Sequence, residues 1–291
     1  MLFALAAIWG SSFMFIKVAV EEVAPGEVVF GRVLVGAVAL LPAIPFVLGW
    51  RRLFDDLRRF ALPLLVVALL NASIPFWLLS WSEQRLDSGL AAVLQASTPL
   101  FAAIVAFGFS RGDRVTGARL VGVVIGFLGV VLLVGAQPSG DVLSALAVLL
   151  TALCYSVSVL FIGRRLGEAP PLVISFGTLA IATLATLPLG VAQLPDHVPS
   201  WQAIGSIVVL GAAGLSVAFL LYFRLIAGAG ASNAVLVTYL VPALALVYGA
   251  LFLDEAVTAT SMGGLALILS GVALGTGSLR IPRRAPVGET P

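Results

Sequence analysis

Apolar residues run along this chain in long blocks, and polar residues collect between them. The blocks near residues 2–20, 28–49, 60–80, 88–109, 117–135, 141–162, 171–192, 201–223, 232–253 and 259–278 each approach the ~20 residues that cross a bilayer core as a helix. The pattern therefore predicts an all-α polytopic membrane protein of ten transmembrane helices joined by short loops. No room remains for a separate soluble domain. The first block lacks a basic start and an A-x-A cleavage site and ends in "KVAVEE", which predicts a mature helix and not a leader.

Composition strengthens this picture. Of 291 residues, 60% are hydrophobic and only 10% charged, against about 25% charged in soluble domains. Mean hydropathy is +1.13. The single cysteine, Cys154, excludes an intrachain disulfide and reads as core filler. One histidine, His197, leaves little with which to build a metal site or a histidine-based catalytic centre. No cofactor and no nucleic-acid partner is expected. The partners are the bilayer and a small-molecule solute.

Basic residues orient the chain, because cytoplasmic loops collect Lys and Arg. All of them except Lys17, Arg32 and Arg85 fall on one side of the predicted membrane, led by "WRRLFDDLRRF" after the second block and by Arg111, Arg114, Arg119, Arg164 and Arg165. Arg224, Arg280, Arg283 and Arg284 join them. Loops on the other side are acidic or neutral. Both termini are then expected in the cytoplasm of a bacterial-type inner membrane. Trp50, Trp81 and Trp201 fall at predicted span ends, where an amphipathic ring suits the interface.

The chain repeats itself. At an offset of 146 residues Pro25 meets Pro171, Phe30-Gly31 meets Phe176-Gly177 and Pro42 meets Pro188; at 143, Pro99 meets Pro242; at 142, Asp113 meets Glu255 and Gly129 meets Gly271. This predicts five-helix repeats over 1–137 and 138–280, followed by a cytoplasmic tail at 281–291. Five is odd, so the second repeat enters from the opposite face, and the repeats are inverted. Inverted repeats supply two related packings, each open to one side, with the solute near the midplane.

Prolines mark where that solute could sit. Proline lacks an amide hydrogen and clashes with the carbonyl four residues back. Pro99, Pro242 and Pro75 are therefore expected to free the carbonyls of Gln95, Thr238 and Asn71 in mid-membrane. Free carbonyls in lipid are tolerated only inside protein or beside a wet cavity. Each proline also admits a plainer account, a packing kink whose carbonyl neighbouring side chains satisfy; the matched pair favours a cavity or hinge. Helical spacing then groups Trp9, Ser12, Phe13 and Ile16 on one face, Ser73, Trp77, Ser80 and Gln84 on another, Ser88, Ala91, Gln95 and Thr98 on a third, and Ser232, Val235, Tyr239 and Pro242 on a fourth. Tyr155 matches Trp9 in the repeat, with Ser158 nearby. The expected solute-binding set is Trp9, Ser12, Phe13, Asn71, Trp77, Gln95, Tyr155 and Tyr239, rings beside small polar groups, against the alternative of ordinary helix packing.

Lys17 and Arg32 sit inside span ends near Glu21, Glu22 and Glu27. They are expected to snorkel toward acidic partners; alternatively they form an outer gate or hold a departing carboxylate. No Asp or Glu falls at a predicted midplane, which favours uncoupled transport through an uncharged cavity and fits a zwitterion better than a sugar nucleotide. "GVVIG" (122–126) and "GVALG" (271–275) are GxxxG patterns, expected to pack within a monomer, with dimerisation as the alternative. "AGAGAS" (227–232) lacks the lysine of a phosphate loop. No H-E-x-x-H, G-x-S-x-G or intramembrane Asp pair points to an enzyme.

"WGSSFMFIK" in the first block, "FGRVLVGA" after it, the central proline of the fourth block and the duplicated five-helix plan resemble EamA-type members of the drug/metabolite transporter superfamily. The resemblance spans essentially the whole chain. It implies ten helices in inverted repeats, a central pocket, peripheral fifth and tenth helices, and export of small metabolites. Among members the chain looks most like YddG-type exporters of aromatic and other neutral amino acids. Export of drugs or other metabolites, including proton-coupled efflux, and a nucleotide-sugar-type carrier are the alternatives.

Overall fold

The computed structural model describes residues 1–109, 117–136, 141–195, 197–229 and 236–275. Among them every regular element is a helix: α1 (Leu2–Val20), α2 (Pro25–Leu40), α3 (Ala43–Val47), α4 (Trp50–Arg59), α5 (Ala61–Ala68), α6 (Ile74–Glu83), α7 (Ser88–Gln95), α8 (Thr98–Phe109), α9 (Ala118–Gly135), α10 (Val142–Arg165), α11 (Pro171–Ala192), α12 (Trp201–Gly211), α13 (Ala218–Ala229), α14 (Val237–Phe252) and α15 (Ala259–Gly275). Among the described residues six stretches are long and apolar enough to cross a membrane: Leu2–Val20, Ala61–Glu83, Ser88–Ala106, Val142–Arg165, Pro171–Ala192 and Trp201–Tyr222. Leu120–Gly135, α14 and α15 are shorter apolar helices. The chain is an all-helical, multi-pass membrane protein.

Three elements depart from expectation. The arginine-rich connection after α2 is helical and not a loop. Its Leu53 is buried, Arg52 pairs with Asp56 one turn on at 3.7 Å, and Arg58 and Arg59 lie in the last turn, where the helix dipole favours cations. The fourth apolar block breaks after Gln95, so Pro99 becomes the second residue of α8, where a missing amide costs no helical bond. The third block extends beyond residue 80 to Glu83.

Two π-helical turns interrupt the third and eighth blocks, at Leu69–Ser73 and Ala212–Val217. They begin 143 residues apart, the offset that relates Pro99 to Pro242. In a π-turn the amide reaches five residues back, as Ile74 N does to Leu69 O. The wider turn directly precedes Pro75.

Packing is reciprocal. Helix α1 lies against α12 and α14, while α10 lies against α6 and α8. Helix α2 pairs with α11, and α9 with α15. The repeat-matched glycines join in: Gly31 of α2 faces Ile207 of α12, and Gly177 of α11 faces Leu64 of α5. The two GxxxG segments meet each other within the chain. A Cβ on Gly122 would stand 2.7 Å from the Gly271 carbonyl oxygen, so only glycine permits this approach.

Connections on the two ends of the bundle stay separate. At one end Arg59 pairs with Glu168 at 2.9 Å. At the other, Glu22 accepts hydrogen bonds from Ser200 N and Oγ, Gln193 Oε1 accepts from Gly26 N, and Glu255 accepts from Ser88 and Gly89. Ser200 holds the Glu22 carboxyl below the usual carboxylate range. Arg111, Asp113, Arg114, Ser232, Val235, Arg280, Arg283, Arg284 and the tail at 281–291 lie outside the described residues.

Gly122→Leu is expected to force α9 from α15 at a cost of about 1–3 kcal/mol or more. The measurement is the apparent Tm of the purified protein in detergent. Gly163→Leu, where no atom lies within 4 Å of an added Cβ, is the control expected to stay near wild type.

Candidate functional site

The helix breaks define the interior, and side-chain hydroxyls meet the carbonyls there. Thr98 Oγ1 donates to Gln95 O at 2.7 Å and Ser97 Oγ to Leu94 O at 2.6 Å. The Gln95 carbonyl, expected to be left by Pro99, therefore has a donor three residues on. Ser156 of α10 reaches across to Thr98 O at 2.7 Å, and Thr151 of the same helix to Pro75 O at 3.3 Å. In the other half, Trp9 Nε1 donates to Gly214 O inside the second π-turn at 3.2 Å, and Ser216 Oγ to Gly36 O at 2.7 Å. Pro242 behaves differently, remaining inside an unbroken α14.

The expected solute-binding residues divide among three side-chain groups. Trp77 and Tyr155 border the group around Leu64, Phe76 and Leu179. Phe13 and Tyr239 belong with Leu79, Leu94 and Leu246. Trp9 sits with Leu5 and Leu225, its ring 5.6 Å from that of Tyr222. Phe13 is buried among apolar neighbours, and Ser12 Oγ donates to Ile8 O within its own helix. Asn71 lies on the first π-turn. Trp77 stacks on Trp81 at 6.4 Å. Three of the set keep buried polar atoms that no protein group hydrogen-bonds: Trp77 Nε1, Gln95 Oε1 and Tyr239 Oη. Ser73, Ser80 and Ser158 hydroxyls share that property.

The two basic residues expected at span ends take other partners than the acidic ones near them in sequence. Arg32 does not snorkel; it is 4% exposed, with its guanidinium 3.8 Å above the Phe76 ring. Lys17 passes the acidic residues near it in sequence. Its ammonium instead donates to Glu83 O at 2.8 Å and Leu86 O at 2.9 Å, capping the negative end of α6. Lys17 finds carbonyl acceptors inside the bundle and Arg32 an aromatic face, while Arg32 Nε and Nη1 keep no hydrogen-bond partner.

Glu83 is the residue that sequence reasoning missed. It is fully buried, and no protein group hydrogen-bonds either carboxylate oxygen. It lies within electrostatic range of Lys17, Arg32 and Glu255. Spacing carried the signal: Ser73, Phe76, Ser80 and Glu83 fall three or four residues apart on one face of α6 and its preceding turn. Following that stripe by fours leads instead to Gln84, one residue past the charge.

The EamA-like transporter family matches the chain twice, over residues 1–135 and 142–276. An uncharacterized transporter of Archaeoglobus fulgidus is 26% identical over 269 residues, 91% of this chain and 93% of that protein. A probable terminal-alkyne amino-acid exporter of Streptantibioticus cattleyicolor is 27% identical over 91% of this chain and 89% of its own. A probable amino-acid metabolite efflux pump of Escherichia coli is 27% identical over 97% of this chain and 95% of its own. With both matched segments together spanning nearly all of its length, this chain belongs to the EamA-like transporter family and is a transporter, not an enzyme.

Proposed function

We propose that this transporter exports neutral amino acids, chiefly hydrophobic and aromatic ones, by alternating access between two inverted five-helix halves. The observation that carries the reading is the match, over nearly full length, to two relatives named for amino-acid export. The reciprocal packing of α1 and α10, the matched π-turns and the pairing of α2 with α11 support the inverted halves, 1–137 and 138–280. The rings and unpartnered polar atoms of Trp77, Gln95 and Tyr239 support a solute with a large apolar part and few hydrogen-bonding groups. Flux runs down the solute's own gradient, from a cytoplasm where amino acids are concentrated. The buried Glu83 carboxylate favours one second reading, efflux of an organic cation.

Reconstituted protein preloaded with unlabelled phenylalanine is expected to take up labelled phenylalanine by saturable counterflow. An organic cation and a sugar nucleotide serve as comparison solutes. Counterflow of the cation or the nucleotide alone would refute amino-acid export.

Trp77→Ala and Gln95→Ala are each expected to lower phenylalanine counterflow about tenfold, the equivalent of one lost polar contact, at unchanged yield of folded protein. Wild-type flux in both variants would place the solute elsewhere.

Inversion makes a separate prediction. Asp55 and Val198 are related by the 143-residue offset and lie in corresponding connections of the two halves. In a Cys154→Ser background, Asp55→Cys is expected to react with an impermeant thiol reagent only from the cytoplasmic face, and Val198→Cys only from the outer face. Labelling of both from one face would show parallel halves.

A further inference from the structure

Beside Asp87, which lies within electrostatic range of Glu255 and Lys17, four further charged side chains gather where α1, α2, α6 and α7 approach the outer end of the bundle. Two are committed to helix ends. Lys17 caps the carbonyls of Glu83 and Leu86, and Glu255 accepts from Ser88 N at 2.7 Å, Ser88 Oγ at 3.0 Å and Gly89 N at 3.0 Å. The other two, one of each sign, are not. No protein group hydrogen-bonds Arg32 Nε or Nη1, nor either oxygen of Glu83, and the two residues are 4% and 0% exposed. They make no ion pair with each other among the described residues.

Their placement along one face of α6 points to what would join them. The Arg32 guanidinium sits over Phe76, and Glu83 follows Phe76 by seven residues, about 10 Å along the axis of α6. Ser80 lies between them on the same face, its buried hydroxyl also without a protein partner. Arg32 and Glu83 lie within electrostatic range but form no direct ion pair. A head group carrying a carboxylate and an ammonium on one carbon would offer each a charge-assisted partner.

We infer that Arg32, Ser80 and Glu83 form a subsite for the zwitterionic head group of an α-amino acid, with Arg32 holding the carboxylate and Glu83 the ammonium. Phe76, beneath the guanidinium, closes its apolar floor. The charge balance selects this class of ligand. A zwitterion offers Arg32 an anion and Glu83 a cation while adding no net charge to a low-dielectric site. A free amine or a free acid would each leave one buried charge unmet. A sugar nucleotide would set its phosphates against Glu83. The inference rests on the amino-acid export reading and narrows it: both charged groups of the backbone are required, whatever the side chain.

The test is competition against labelled phenylalanine counterflow in proteoliposomes of the full chain. The competitors are phenylalanine, 2-phenylethylamine, which lacks the carboxylate, and 3-phenylpropionate, which lacks the ammonium. With wild-type protein each one-charge analogue is expected to compete about tenfold or more weakly than phenylalanine. Glu83→Gln is expected to weaken phenylalanine and 2-phenylethylamine while sparing or improving 3-phenylpropionate. Arg32→Gln is expected to do the reverse. The wild-type series stands even if a variant does not fold. An analogue that competes as well as phenylalanine overturns the subsite and leaves amino-acid export intact. If phenylalanine, leucine and threonine all fail to exchange, export of amino acids fails and the subsite with it.

Discussion

Inside hydrocarbon, every carbonyl released by a broken helix must find its donor within the protein. That constraint organises this molecule. At the break after Gln95 the released carbonyls take donors from Ser97 and Thr98, Trp9 of α1 serves Gly214 in the second π-turn, and Thr151 and Ser156 of α10 add donors to Pro75 and Thr98 just beyond the breaks. Several of the hydroxyls have two acceptors in reach. Ser156 Oγ is 2.7 Å from Thr98 O across the interface and 2.7 Å from Ala152 O in its own helix. Thr151 likewise faces Pro75 O and Ala147 O, and Ser216 faces Gly36 O and Gly211 O. A hydroxyl has one proton, so it serves one acceptor at a time. When neighbouring helices part, it can turn back to its own helix, and the donor is never orphaned. Sliding at these contacts therefore avoids part of the ~1–3 kcal/mol that an unmet buried group costs. The proposed alternating access would use interfaces of this kind.

The charged residues obey the same constraint with higher stakes. Lys17 and Glu255 each terminate a helix of the first half, α6 at its negative end and α7 at its positive end. They fasten α1 and the connection after α14 to the same corner of the bundle. Opening that end would have to release both caps. Arg32 and Glu83 are not used this way. A buried charge without a hydrogen-bond partner is among the costliest features a fold can carry, so the cost argues for a task beyond stability.

Much of this was legible in the sequence, for physical reasons that also show where reading stops. Apolar runs report burial in lipid directly, and α1 and α11 occupy the predicted residues 2–20 and 171–192. Proline reports only that a helical bond is missing. It does not say how the chain responds, and Pro99 begins a new helix while Pro242 stays inside one. The stretch "WRRLFDDLRRF" looked like a loop because its charge outweighs its apolar content; the burial of Leu53 that makes it a helix is a tertiary fact. Glu83 was hidden by a boundary. A polar residue just beyond an apolar run reads as the start of a loop, and only packing by α1 and α2 turns that position into the interior.

The repeat itself separates the residues that build the fold from those that answer to the solute. Features that appear twice are structural: Gly31 and Gly177 at the same kind of contact, the π-turns, the paired GxxxG segments. Ser73 and Ser216 also correspond at the 143-residue offset, one in each π-turn. The charged pair is written once. Arg32 corresponds to Thr178, and Glu83 to Ile226. In the proposed alternating-access reading, a duplicated scaffold needs its hinges in both halves, because both would move. An amino acid, the proposed solute, has no such symmetry; its carboxylate and ammonium differ in sign, and two matched copies of either charge would hold it in neither direction. The departure from symmetry at Arg32 and Glu83 is thus what a single polar ligand requires of a duplicated protein.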